Sequence, residues 1–164
     1  MRLIKLAVIS IVVLFALATF LGALLPSVVL VSRAVNVNAP RDSILLRLRD
    51  INQWRSWMEG MNDTSINIVS AQQARLGTTQ VQITAVSDSA IYSTWTSRNG
   101  NQQQSLMRLI SEPRQEVCVV QWQFEQKLRW YPWEKLGSIM NDKILGTMME
   151  KNLNELKSLV EKKQ

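Results

Sequence analysis

The sequence predicts an α+β protein. A single N-terminal transmembrane helix precedes a curved antiparallel sheet of six or seven strands, with two short helices and one long C-terminal helix. Three observations carry this prediction. Residues 6–25 read LAVISIVVLFALATFLGALL, and no charge follows Lys5 until Arg33. Over residues 65–130, apolar and polar side chains alternate with period two between short turn signals, the mark of half-buried strands. Over residues 136–161, apolar residues recur at helical spacing with no proline.

The first run is about the 20 apolar residues a helix needs to cross a bilayer's hydrocarbon core. Residues 1–26 are therefore read as an anchor in the lipid bilayer, inserted through residues 6–25. Residues 27–164 are read as one folded domain, long enough to bury a sizeable core. A cleaved signal peptide is the competing reading, because Ala16-Leu17-Ala18 resembles a small-x-small cleavage site. Cleavage there would leave TFLGALLPSVVLV as an exposed apolar end, which favours the anchor. Arg2 and Lys5 set the N-terminus on the cytoplasmic side, so the expected arrangement is single-pass with the domain across the membrane.

Residues 27–38, SVVLVSRAVNVN, are β-branched and partly alternating and read as the strand leaving the membrane. In APRDSILLRLRD, Pro40 suits a first helical position and Asp42 the positive end of the helix dipole. Ile44, Leu45 and Leu48 give that helix one apolar face. INQWRSW, residues 51–57, has room for a turn or two of helix. SINIVSA then puts Ile66 and Ile68 on one side, and TTQVQITAVSD sets Gln80, Gln82 and Thr84 against Val81, Ile83 and Ala85. Asp88-Ser89 turns into AIYSTWTSR. Asn99-Gly100 predicts a type I′ hairpin into NQQQSLMRLIS, and Glu112-Pro113-Arg114-Gln115 a turn into EVCVVQWQFEQKLRW. In that sixth strand Cys118, Val120, Trp122 and Phe124 share a face. The long helix carries its stripe on Leu145, Met149, Leu153, Leu156 and Val160, widened by Ile144 and Met148. One helix cannot seal a curved sheet everywhere, so a cavity is expected beneath it.

Composition narrows the chemistry. Nineteen Lys and Arg against thirteen Asp and Glu give a net charge of +6, but the positive residues are scattered apart from Lys157, Lys162 and Lys163. A nucleic-acid partner would gather them on one face or groove, so no nucleic acid is expected; a mild attraction to anionic head groups fits a tethered protein. The chain has no histidine, which removes histidine triads, histidine-ligated zinc and histidine general bases. Cys118, the single cysteine, lies in an alternating apolar run and reads as a buried inert thiol. The six glycines are dispersed, with no G-x-G or G-K-[ST] to cradle phosphate. No metal, cofactor or catalytic residue is assigned.

Two segments, SRAVNVNAPRDSILLRLRDINQWRSW (residues 32–57) and KLGSIMNDKILGTMMEKNLNELKSLVE (residues 135–161), carry a family likeness. They resemble the START-like, polyketide cyclase/dehydrase-related superfamily with the helix-grip fold, in its bacterial membrane-anchored form. The first matches that family's strand, Asn-Ala-Pro helix start and Trp-x-x-Trp end; the second matches its helix with a closing Leu-x-x-Leu-Lys. The resemblance covers the soluble part of the chain and implies a bacterial membrane-anchored protein; joined to the charges of Arg2 and Lys5, the expected place is the inner membrane with the domain outside the cytoplasm. Seven strands are usual in the family where six are legible here, and residues 65–130 are rich in Gln, Ser and Thr, so the family's pocket chemistry is not carried over.

The resemblance implies that the two short helices close one end of the sheet's concave face. Positions three apart share a side of a helical turn, so Trp54 and Trp57 turn inward while Arg55 and Ser56 face water. Each ring buries on the order of 200 Å², which makes the pair anchoring plugs first and pocket wall second. RWYPWEK, residues 129–135, gathers Trp130, Tyr131 and Trp133 around Pro132. Burial of these rings over the sheet's open end is the preferred expectation, and a membrane-touching rim the alternative. The expected pocket joins Trp54 and Trp57 to Trp95 and Trp122, roofed by Met140, Ile144 and Met148. Tyr92, Ser93 or Arg108 would orient a polar end, and a one-residue change of register would exchange Trp95 for Tyr92 and Thr94.

The leading functional reading is a non-enzymatic module that binds a hydrophobic small molecule or lipid beside the membrane. The alternatives are a cyclase- or dehydrase-like enzyme moving protons through Glu125, Glu134 or Tyr92, and a structural or interaction protein whose pocket is filled by its own side chains.

Overall fold

A computed structural model of the chain describes residues 2–111 and 117–162. The elements run α1 (Arg2–Leu24), β1 (Val28–Asn38), α2 (Arg41–Leu48), α3 (Ile51–Trp54), β2 (Ile66–Ser70), β3 (Gln73–Leu76), β4 (Thr79–Val86), β5 (Ala90–Thr96), β6 (Gln102–Ser111), β7 (Val117–Lys127) and α4 (Pro132–Glu161). The seven strands form one sheet in the order β1-β7-β6-β5-β4-β3-β2, and each neighbouring pair is antiparallel.

The seventh strand is β3, which the sequence pattern does not separate from a connection. Four residues, QARL, are too few to show alternation, and two-residue turns at Ala71-Gln72 and Gly77-Thr78 set off both its ends. Gly77 has φ +58°, a conformation that suits glycine. Asn99-Gly100 does form a hairpin, but not a type I′ turn, which needs positive φ at both residues. Only Gly100 is left-handed, at φ +76°. Its N–H donates to Ser97 O, and Ser97 N–H to Asn101 O, so the loop is a turn closed by a left-handed glycine. The turn expected at Glu112–Gln115 lies outside the described residues.

α2 begins one residue later than expected: Pro40 is extended, with ψ 137°, and acts as the cap rather than the first helical residue. Asp50 caps α3 by accepting from Asn52 N–H. α4 begins at Pro132, four residues earlier than the apolar stripe suggested, with the proline in the first turn where its missing N–H costs nothing.

The core lies between the helices and one face of the sheet. Val37, Val120, Trp122, Met107, Leu109 and Ile91 from the strands meet Ile44, Leu48, Ile51 and Trp54 from α2 and α3. Met149, Leu153, Leu156 and Val160 of α4 complete it. α4 runs the length of β1, from Pro132 beside the end of α1 to Glu161, which accepts from the Asn38 backbone N–H. α1 is long and apolar enough to cross a membrane, and its only buried residue is Gly22.

Candidate ligand-binding face

The register sorts the inner face of the sheet into rows. The row nearest α1 is Val29–Gln126–Gln103–Trp95–Val81, across β1, β7, β6, β5 and β4. The next is Val31–Phe124–Ser105–Ser93–Ile83, and the third begins Arg33–Trp122–Met107–Ile91. The second row is buried throughout. In the first, Val29, Gln126, Gln103 and Trp95 are only half-buried. The inner face is thus sealed in its middle and partly open at the end from which β1 leaves α1.

Five aromatic rings close a ring of contacts in the sealed part. Trp54 meets Trp57 edge-on at 6.2 Å, Trp57 meets Trp122 at 6.0 Å, and Trp122 meets Phe124 at 5.4 Å. Phe124 meets Trp95 at 5.3 Å, and Trp95 stacks on Trp54 at 6.2 Å and 12°. The four indole N–H groups in this ring have protein acceptors. Trp122 donates to Ser105 Oγ and Trp95 to Ser93 Oγ. Trp54 donates to Leu48 O and Trp57 to Arg47 O. Those two carbonyls end α2 and belong to the last turn that a helix leaves unpaired. The polar stretch INQWRSW therefore holds two tryptophans because they cap the preceding helix with their N–H groups and fill the core with their rings.

Of the residues expected to form the pocket, Trp54, Trp57, Trp95 and Trp122 are brought together. Tyr92 is not. Residues three apart on a strand face opposite ways, and with Ile91, Ser93 and Trp95 inside, Tyr92 lies on the outer face at 42% exposure. Arg108 lies on that outer face as well. Met140, Ile144 and Met148 are exposed rather than roofing the face. The buried phase of α4 runs through Lys135, Ser138, Met149, Leu153 and Leu156. At about 100° per residue, Met148 falls a step off that line, and Ile144 and Met140 lie nearly opposite it.

Phe124, Gln103 and Gln126 also stand on this face. Phe124 was legible from the alternation of β7. The two glutamines were not, because an amide at an inward position looks like any other polar residue until the register is known. Here Gln103 donates its amide to Gln126 Oε1 across the open row. Asn152, fully buried on α4, accepts from Glu59 N–H and holds the only buried side-chain donor left unpaired among the described residues.

The candidate proton-moving groups do not converge. Tyr92 and Glu125 occupy outer-face positions, and Glu134 accepts from the Arg129 backbone N–H. Cys118 is buried in the core, and burial pushes its thiol pKa up against the opposing pull of Arg41. Among the described residues no three metal-ligating side chains cluster. A groove of ≈ 570 Å³ is bordered by Ser43, Leu46 and Arg47 of α2 with Asp50, Gln53 and Val160.

The aromatic loop departs from the preferred expectation of burial. Trp130 and Trp133 are exposed, with Tyr131 stacked on Trp133 at 4.9 Å.

No protein-family model matches the chain, and no curated protein does. Solved structures do. A START superfamily protein from Mycobacterium smegmatis aligns with TM-score 0.63 at 16% identity, over 82% of this chain and 99% of its own. A protein from Nitrosospira multiformis aligns with TM-score 0.63 at 14% identity, over 83% and 100%. The di-domain ARO/CYC StfQ from the steffimycin biosynthetic pathway aligns with TM-score 0.60 at 11% identity, over 83% of this chain and 51% of that one. With its seven-stranded antiparallel sheet gripping the long α4, the chain has the START-like helix-grip fold.

Proposed function

We propose that the chain is a membrane-tethered, non-enzymatic module that binds a hydrophobic small molecule or lipid. In this reading residues 1–26 are the anchor, residues 27–164 the binding domain, and that domain lies on the non-cytoplasmic side. The observation that supports it most is the gradation of the inner face. The row Val29–Gln126–Gln103–Trp95 stays partly open at the membrane-exit end, while the row behind it is sealed. An apolar ligand entering between this row and the first half of α4 would rest on Trp95 and Phe124, with Trp54, Trp57 and Trp122 behind them. The paired amides of Gln103 and Gln126 would meet its polar end. Shape and buried area, at roughly 25 cal/mol per Å², would supply the affinity.

A filled core is the second reading, favoured by the satisfied indole N–H groups of the aromatic ring. The two separate in one experiment. The purified full-length chain is titrated with fatty acids, phospholipids and isoprenoids while tryptophan emission is followed, and native mass spectrometry is run in parallel. A saturable change that Gln103→Trp abolishes without lowering the thermal midpoint supports the binding reading. No bound molecule and no perturbation by any titrant leaves the filled core.

A further inference from the structure

α1 and α4 meet at one defined junction. Gly22 is buried against Pro132, so close that a β-carbon there would stand 3.2 Å from Pro132 Cα. Lys135 Nζ donates to Leu25 O at 3.1 Å, closing one of the carbonyls that the end of α1 leaves unpaired. Pro132 and Lys135 thereby set the first turn of α4 beside the last turn of α1. Gly22 lies three residues inside the apolar run, a depth of about 4.5 Å at roughly 1.5 Å per residue.

From that junction α4 turns an apolar stripe outward. Trp133, Met140, Ile144 and Met148 fall at i, i+7, i+11 and i+15 and are 60%, 64%, 67% and 37% exposed. Trp130, just before the helix, is 66% exposed. Asp142, Lys143, Thr147 and Glu150, all exposed, supply the polar positions of the same stretch. Soluble domains seldom leave so many large apolar side chains contiguous and uncovered. Tryptophans gathered beside the end of a membrane-spanning helix have an obvious solvent, the bilayer interface.

We propose that this stripe, with Trp130 and Trp133, is a docking surface for the same bilayer that holds α1, so that the first half of α4 lies along the membrane plane. The occupant is lipid rather than a protein because the stripe starts beside Gly22, about 4.5 Å inside the apolar run of α1, close to the boundary of head groups and acyl chains where interfacial helices settle. The open row of the inner face then sits beside the bilayer surface. The inference rests on the anchor reading, and the test separates the two.

α1 contains no tryptophan, and Trp54, Trp57 and Trp122 are buried; Trp95 is half-buried and remains in W130F/W133F, so the quenching lost in that variant reports on Trp130 and Trp133. The full chain is reconstituted in phosphatidylcholine–phosphatidylglycerol vesicles carrying lipids brominated near the glycerol end or near the methyl end. Emission should be quenched by the shallow bromines more than by the deep ones. Quenching should be lost in W130F/W133F, and largely lost in M140E/I144E with the thermal midpoint unchanged. No shallow quenching in the unaltered chain overturns the proposal, as does undiminished quenching in M140E/I144E. Cross-linking of Met140→Cys to a second copy, without quenching, also overturns it and makes the surface a contact between copies. Alkaline carbonate extraction tests the anchor alone. A chain that is extracted sinks the anchor and with it the shared bilayer; a chain that resists extraction but shows no shallow quenching keeps the anchor and overturns the docking surface.

Discussion

The guanidinium of Arg33 lies across the backbone of Gly146, so near that a β-carbon on that glycine would overlap it. Arg33 Nε donates to Glu150 at 2.7 Å, and Asp142 lies 3.6 Å from the same guanidinium. Strand β1 and helix α4 are thus fastened through a side chain that passes over the one residue in that part of α4 with nothing to obstruct it.

This relationship predicts a coupling. Glycine within a helix costs about 1 kcal/mol relative to alanine, so Gly146→Ala should stabilise the helix once nothing occupies the space over it. In Arg33→Ala it should do so, by up to about 1 kcal/mol. In the unaltered background the guanidinium must leave its carboxylates, half-exposed contacts worth about 0.2–1 kcal/mol, and the gain should vanish or reverse. Chemical denaturation of the four chains closes the cycle. Equal effects of Gly146→Ala in both backgrounds would show that Arg33 does not depend on the glycine.

The buried hydroxyls predict a contrast. Ser105 accepts from Trp122 N–H where both are buried, and Ser93 accepts from Trp95 N–H where the indole is half-exposed. Ser105→Ala strands a buried donor and should cost about 1–3 kcal/mol. Ser93→Ala should cost clearly less, because the indole of Trp95 can turn to water. Thermal and denaturant midpoints decide it, and the reverse order would mean that the open row is closed in solution.

These two contrasts show what the sequence could and could not convey. Alternation in β7 displayed Cys118, Val120, Trp122 and Phe124 as one face, and the structure buries all four. A long strand with one wet face must alternate, and so announces itself. β3 has four residues and no such statistics. The phase of α4 was legible where buried leucines repeat, from Met149 to Val160. Toward the start the pattern is ambiguous, because Met140 and Ile144 belong to a second, outward stripe. Both stripes are apolar, and periodicity alone does not say which one faces the sheet. Which of Tyr92 and Trp95 points inward depended on register, and register is set by partner strands far along the chain.

Cys118 predicts a pH dependence. Burial raises the folded-state pKa of its thiol, so the folded chain holds this proton more tightly than the unfolded chain does. The stability from that difference is fully present below the unfolded thiol's value, about 8.5, and is lost as pH rises through the raised folded value. Cys118→Ala should cost about 1 kcal/mol near neutral pH from the lost packing and leave ligand binding intact. Raising the pH should narrow the stability gap between Cys118→Ala and the unaltered chain. A gap that stays constant or widens from pH 7 to pH 10 would place the thiol in water, against its burial.

The last prediction concerns two bonds that join the same segments. The Glu59 backbone N–H donates to Asn152 Oδ1 at 2.9 Å, and the Glu59 carboxylate meets Lys151 Nζ at 2.6 Å. Both fasten α4 to the connection carrying Met58 and Met61, whose side chains are in the core. Geometry alone would rank the ion pair first. Exposure reverses the order, since Lys151 and Glu59 are both more than half exposed and water screens the pair and competes for its partners. Asn152 is fully buried. Asn152→Ala leaves a backbone donor unpaired and opens a void beside it, and should cost about 1–3 kcal/mol. The loss is moderated because the unpaired Nδ2 of Asn152 disappears with the side chain. Lys151→Ala should leave the denaturation midpoint unchanged at physiological salt. Amide exchange should localise the difference, with Glu59 N–H losing protection in Asn152→Ala and keeping it in Lys151→Ala. If Lys151→Ala deprotects that amide as strongly as Asn152→Ala, the exposed pair rather than the buried amide holds the connection to α4.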